Sequence, residues 1–314
     1  MHRYESFLNH PPSVKGFFDH ATNTVSYVVA DRETKRCAII DSVLDYEPHS
    51  ATISYESADS IIRYVEEHGY VVDWILETHV HADHLSAAPY LKERLGGKIA
   101  IGERILEVQE VFGKVFNEGT EFQRDGSQFD RLFKEDDTFS IGNIPVRVLY
   151  TPGHTPADVT YVIGDAVFPG DTLFMPDYGT ARVDFPGGSA KDMHASAQKL
   201  FMLPEEMRMF MCHDYLPEGR SEYRYETTVG EQKRTNVHLN ARTSIEEFTT
   251  LRIQRDTTLG VPRLIIPSLQ VNMRAGEITL DRETGVPFLK TPINSVFSKK
   301  DPRRSVRSMP VPKG

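Results

Sequence analysis

Six consecutive residues, His79-Val80-His81-Ala82-Asp83-His84, put three imidazoles and a carboxylate directly after the apolar run YVVDWIL of residues 70–76. With 12 histidines in 314 positions, simple proportion places about 0.2 in a window of that size. The run reads as a strand and the histidines as the loop that leaves it, a place where scaffolds commonly carry function. Nitrogen and oxygen donors crowded in this way suit a divalent ion of borderline hardness. Such a chain must fold so that donors remote in sequence also reach the loop. Three candidates do so in pattern: His154 in TPGHTP, Asp171 in PGDTLF and His213 in CHDY, each just after a predicted strand. Asp171 alone would pass for a turn residue after Gly170, and the other histidines read as ordinary surface or core residues.

The rest of the chain supplies a frame of alternating strands and helices. Residues 24–30 and 36–41 are short β-branched runs that predict a hairpin of buried strands. A helix is expected over 57–69, capped by Ser57 or Asp59, with Ile61, Ile62 and Val65 on its apolar face and Gly69 at its end. A second helix is expected to start at Asp83 or Ser86 and end near Gly96-Gly97, before a strand at 98–102. Residues 103–117 are helical in pattern, and the polar, glycine-containing run to about 137 reads as a loop or hairpin insertion. Strands at 144–150, 158–163 and 166–169, a helix at 189–202 and a strand at 207–211 repeat the order of the first half. Two helices are expected within 222–255, and 261–274 reads as a proline-interrupted extended or looped segment. We read residues 1–294 as a single domain. The last twenty, 295–314, hold six basic residues and one acidic one and read as a solvated tail.

Composition removes several function classes. The chain carries 36 basic and 45 acidic residues, a net charge of −9, which offers no basic field to a phosphate backbone, so no nucleic-acid partner is expected. The mean hydropathy is −0.40 and no apolar run is long enough to span a bilayer, so no membrane association is expected. The first residues, MHRYESFLNHPP, resemble neither a signal nor a transit peptide, and Cys37 and Cys212 are too few for a disulfide framework, which together predict a cytoplasmic protein. Nucleophile-elbow, Walker and dinucleotide-binding glycine patterns are missing from the sequence.

The ordered series HxHxDH, TPGHTP, PGDTLF and HDY resembles the metallo-β-lactamase fold superfamily, which implies an α/β fold: an αββα sandwich of two mixed sheets flanked by helices. Within it, THVHADH, TPGHTP, FPGDTLF, YGTARVDFPGG, CHDY and VNMRAG together resemble the persulfide dioxygenases, in their bacterial glutathione-dependent branch. That resemblance implies one Fe(II) per chain held by His79, His154 and Asp171, the two-histidine, one-carboxylate arrangement that leaves coordination positions open for a persulfide sulfur and dioxygen. It implies glutathione persulfide and O2 as substrates, sulfite and glutathione as products, and a homodimer. His81, Asp83, His84 and His213 would then orient the first ligands or line a vacant second site. In hydrolytic relatives the same four complete a dinuclear centre, so the alternative is a zinc or iron thioester hydrolase of the glyoxalase II kind, and the motif leaves one metal or two open.

Glutathione carries two carboxylates and an ammonium group, which calls for Arg and Tyr around the iron. By resemblance Arg182 and Arg274 match the family's arginines, and Tyr178 and Tyr215 lie close to ligands in sequence. The lesser alternative for Arg182 is an ordinary salt bridge with Asp184 or another carboxylate. Cys212 reads as an inert buried thiol, and Asp158 stands where the human-type sequence HTPGC has cysteine.

Overall fold

Residues 24–30 and 144–150 are apolar at nearly every position, as a strand covered on both faces requires. The computed structural model, which describes residues 4–293, places both inside layered sheets. The first half of the chain runs β1 (Ser13–Asp19), β2 (Thr24–Ala30), β3 (Arg36–Ile40), β4 (Val43–Glu47), β5 (Thr52–Ser54), α1 (Glu56–Glu67), β6 (Val71–Leu76), β7 (Leu85–Ser86), α2 (Ala88–Leu95), β8 (Lys98–Gly102), α3 (Ile105–Val115) and β9 (Arg131–Phe133). One six-stranded sheet has the order β1-β2-β3-β6-β8-β9, antiparallel up to β3 and parallel beyond it. The second half runs β10 (Thr138–Ile141), β11 (Ile144–Tyr150), β12 (Val159–Ile163), β13 (Ala166–Phe168), α4 (Ala190–Leu200), β14 (Arg208–Phe210), β15 (Glu226–Thr228), α5 (Val229–Thr235), α6 (Ile245–Asp256) and α7 (Ile265–Asn272). Its six strands pair in sequence order, and only β13 and β14 are parallel. A small sheet, β5-β4-β7, lies apart from these two.

Side-chain alternation along the strands sorts the core into layers. Val25, Tyr27 and Val29 of β2 share one apolar cluster with Val146, Val148 and Tyr161 of the other sheet, which forms the seam between the sheets. The opposite face of the first sheet, including Val28 and Ala30, packs with Ile61 of α1, Leu91 of α2, Phe112 of α3 and Leu269 of α7. Leu149 and Val162 turn the other way, toward Met193 and Ala197 of α4 and Phe248 of α6. This is the expected αββα sandwich. In α1, Ala58, Ile61, Ile62 and Val65 fall at helical spacing and are buried, as the sequence predicts.

Three expectations need correction. The first helix starts at Glu56, so Ser57 and Asp59 lie inside it and neither caps it; Ser57 instead bonds to the Asp45 carboxylate. The second helix begins at Ala88, beyond both Asp83 and Ser86, because Pro89 in its first turn sets the start and leaves Asp83 in the histidine loop. Residues 265–272, expected to be extended or looped, form α7: Pro267 is its third residue, where a missing N–H leaves no intrahelical bond unmade. The tail expected over 295–314 lies outside the described residues. No helix among the described residues is long and apolar enough to cross a membrane.

Candidate metal centre

All four donor segments leave strands at neighbouring ends: the histidine loop follows β6, His154 follows β11, Asp171 follows β13 and His213 follows β14. The two sheets meet there, where Thr24 bridges to His213 and the Val25 N–H donates to the Cys212 carbonyl at 2.7 Å. Gly170 lets the Asp171 turn come close. Its φ is +53°, and a Cβ there would sit 2.7 Å from the Thr78 hydroxyl and 3.4 Å from His79 Nδ1. His79, His154 and Asp171 thereby offer ligand atoms that all lie within 4.8 Å of one another. His81, Asp83 and His84 form a second such set beside them.

Hydrogen bonds fix which ring nitrogen each histidine presents. The Thr78 hydroxyl donates its single hydrogen to Asp41 Oδ2 at 2.8 Å, so His79 Nδ1, 3.0 Å away, must be the donor to Thr78 Oγ1. His154 Nδ1 donates to the Arg182 carbonyl at 2.8 Å, and His84 Nδ1 donates to the Leu85 carbonyl at 3.2 Å. His213 Nδ1 donates to the Asn23 carbonyl at 3.2 Å. Each ring is left with a bare Nε2. His154 Nε2 lies 3.6 Å and His79 Nε2 3.9 Å from Asp171 Oδ2, while His213 Nε2 lies 3.3 Å from Asp171 Oδ1. His79 Nε2, His81 Nδ1, His84 Nε2, His213 Nε2 and Asp171 Oδ1 are buried without a hydrogen-bond partner among the described residues. Orphaned acceptors are costly in a protein interior, at about 1–3 kcal/mol each, and a bound cation would satisfy all of them.

His81 is oriented differently. Its Nε2 donates to Asp41 Oδ1 at 3.0 Å and lies 3.5 Å from Glu77 Oε2. Burial would push this imidazole down, but Asp41 and Glu77 overcome it and hold the pKa well above the usual value. Burial, reinforced by the surrounding imidazoles, pushes His79 well below its ordinary pKa and His84 down to about 4, which favours the neutral ring that a metal needs. At His213 the balance reverses: burial lowers the pKa, but the Asp171 and Asp83 carboxylates outweigh it and raise it well above the usual value. The residues therefore fit a divalent metal.

A cavity of about 330 Å³ opens beside His154, Asp83 and Asp171. Tyr178 and Tyr215 stand on its wall with ring centroids 5.0 Å apart, and Tyr215 stacks on His213 at 5.6 Å. Arg182 is present too, but its guanidinium donates to both oxygens of Asp184 and to the Gly260 carbonyl. The salt bridge that was the alternative to a substrate role for Arg182 is thus formed beside the cavity. Arg252, Arg255 and Arg263 also line this wall and were missed by the sequence reading; Arg252 is paired with Asp256, while Arg255 and Arg263 are exposed.

The chain matches the metallo-β-lactamase superfamily over residues 21–213. The chain belongs to that superfamily. A probable metallo-hydrolase of Burkholderia pseudomallei is 51% identical over 90% of this chain and the whole of its own length. Glyoxylase B2 of Dictyostelium discoideum is 45% identical over 91% of this chain and 99% of its own. The mitochondrial persulfide dioxygenase ETHE1 of Homo sapiens is 28% identical over 85% of this chain and 89% of its own. The crystal structure of ETHE1 from Myxococcus xanthus superposes with a TM-score of 0.67 at 28% identity, covering 84% of this chain and all of that one. β-Lactamase hydrolase-like proteins of Xylella fastidiosa, 50% identical over 91% of this chain, are longer, and the match spans 65% of their length.

Several residues of this superfamily member do work that its motifs did not reveal. Asp41 adopts a left-handed backbone, φ +51°, which an aspartate tolerates, and its carboxylate takes bonds from the Thr78 N–H, the Thr78 hydroxyl and His81. Asn272 Nδ2 donates to the carbonyls of His81 and His84, and its Oδ1 accepts from the Ser86 N–H, so it braces the histidine loop from α7. Asp158 closes the His154 loop by accepting from the Thr155 N–H and hydroxyl. Cys212 is buried and its thiol pKa is raised by that burial, in keeping with an inert role.

Arg274 is not brought to the cavity. Its guanidinium pairs with Glu118 at 2.8 Å, donates to the Gln270 carbonyl and stacks 4.2 Å from the Phe122 ring. Replacement by Met is therefore expected to cost stability, toward the 3–5 kcal/mol of a broken buried pair, although Lys290 also reaches Glu118. Metal content should stay at the wild-type level. Urea unfolding and metal analysis check this, and a stable Arg274→Met protein with a raised KM would restore the substrate role.

Proposed function

We propose that the chain is a non-haem iron persulfide dioxygenase acting on glutathione persulfide. One persulfide, one dioxygen and one water give one thiol and one sulfite with its protons, and the sulfane sulfur gives up four electrons that dioxygen accepts. The observation that carries this reading is the gathering of His79, His154 and Asp171 into one donor set. Two histidines and one carboxylate are the donor set of ferrous oxygenases. When bound, a ferrous ion with open positions supplies the redox chemistry that spin-paired persulfide and triplet dioxygen lack between themselves.

The chain's own residues supply the rest. Thr78 and the Arg182 carbonyl hold the two ligand rings in the tautomer that presents Nε2. Arg255 and Arg263 offer charge to the carboxylates of the tripeptide, and Tyr178 and Tyr215 wall the path between them and Asp171. The relation to ETHE1 supports the reading.

One observation favours a second reading, a thioester hydrolase with two metals: His84 Nε2 and His213 Nε2 are also orphaned, next to Asp83 and Asp171. The relatives at 45–51% identity carry hydrolase and glyoxylase names. The deciding measurement is dioxygen consumption by anaerobically purified, ferrous-loaded protein on addition of glutathione persulfide. The expected result is about one sulfite per dioxygen from protein holding one iron per chain. No uptake from protein shown to hold iron, with two metals bound and thioester cleaved, would transfer the assignment to the hydrolase.

A further inference from the structure

A second cavity, about 220 Å³, reaches His154 from the other side of Phe185. The two cavities share Ala82, His154 and Phe185 on their walls. The Phe185 ring meets the His154 ring edge-on at 5.5 Å and carries the Arg182 guanidinium 4.7 Å from its centroid. It is thus the partition between a cationic chamber and an apolar one. The second wall is built by Val108, Val111 and Phe112 of α3, Ile265 and Leu269 of α7, and Val80 of the histidine loop. Its inner end is the buried His154. Its outer end is marked by Glu107 and by Val111, which is 40% exposed.

The chemistry of that wall selects its occupant. Among the described residues it carries no lysine or arginine, and its one carboxylate, Glu107, stands at the mouth. An anionic tripeptide finds no counter-charge there and meets a like charge on entry. A small apolar molecule loses nothing on entering, since dry apolar cavities of comparable size take up apolar guests such as xenon. The cavity also ends on a ligand ring of the donor set, so a guest leaving its inner end arrives at His154.

Building on the dioxygenase reading above, we propose that this apolar chamber is the entry and holding site for dioxygen, so that the two substrates approach the His79–His154–Asp171 centre from opposite sides of Phe185. The anionic persulfide then cannot block the path of the gas by filling its own chamber.

The test uses the full-length, iron-loaded protein and a variant at the half-exposed mouth, Val111→Trp, whose indole can fill the chamber at small risk to the fold. The KM for dioxygen is expected to rise about tenfold or more, with the KM for glutathione persulfide within about twofold of wild type. Leu106→Trp, at a 38% exposed position of α3 that does not line the chamber, is the control and should change neither. Xenon under pressure, followed crystallographically, supplies a readout independent of turnover: it should occupy the chamber in the wild type and be absent from it in Val111→Trp. An active enzyme with an unchanged dioxygen KM in Val111→Trp, or with no xenon in the wild-type chamber, overturns this inference alone. An iron-loaded wild type that consumes no dioxygen overturns it together with the dioxygenase reading.

Discussion

Asp171→Ala protein should fold, shown by an unchanged circular dichroism spectrum, yet keep no stoichiometric metal after dialysis. Asp171 is the one residue that reaches both groups of donors: Oδ2 faces His79 and His154, and Oδ1 faces His213. Outer partners of metal ligands are worth about 10–100-fold in metal affinity, so a loss above about a hundredfold is expected for the carboxylate itself. Metal should also stop stabilising the protein. A ligand at a thousand times its Kd adds about 4 kcal/mol to the native state, which is several degrees in Tm for a chain of this size. The wild type should show that rise on loading with ferrous or zinc ion, and Asp171→Ala should not. Retention of a full equivalent of metal by the variant would remove Asp171 from the ligand set.

The second large effect is expected at Asn272→Leu. The side chain is nearly the same size, so packing changes little, but the carbonyls of His81 and His84 and the N–H of Ser86 all lose their partner in a buried place. At about 1–3 kcal/mol for each abandoned group, the total is expected to be roughly 3 kcal/mol or more. The denaturation midpoint in urea should fall with an unchanged slope, and metal affinity should fall about 10–100-fold because the loop carrying His79 is no longer held. A variant with the wild-type midpoint and affinity would show that the loop holds its own shape.

These two residues also mark where sequence reading succeeds and where it stops. Asp171 was legible because its motif is local: a strand, a glycine whose φ must be positive, and the carboxylate in four consecutive positions. The same holds for the HVHADH loop and for His154. Short β-branched runs such as 24–30 made the strands legible, whereas the αββα sandwich itself came from the resemblance carried by the ordered motifs. Asn272 lies within the VNMRAG motif, but the motif drew attention to Arg274 and gave no sign that the asparagine braces the histidine loop. Its role exists only once α7 packs across the histidine loop, nearly two hundred residues away in sequence. Asp41 and Glu77 were hidden likewise, for their effect on His81 depends on burial that composition does not report. Arg274 differs in the opposite sense: the motif offered it to the substrate, but its guanidinium pairs with Glu118, a residue in the insertion that carried no signal. Arg255 and Arg263 came from helical and loop segments in which charge is ordinarily solvent-facing.

The Thr24–His213 bridge and the Cys212 carbonyl bond stitch together two sheets built from separate halves of the chain. His79 belongs to one half, and His154, Asp171 and His213 belong to the other. No donor pair that spans the halves can meet until both sheets have formed and closed on each other, a contact of high sequence separation that comes late on entropic grounds. Capture of an ion by the His79–His154–Asp171 set is therefore a clock for the end of folding: that set is complete only once the second half has folded and closed on the first, even though His81, Asp83 and His84 all belong to the first half.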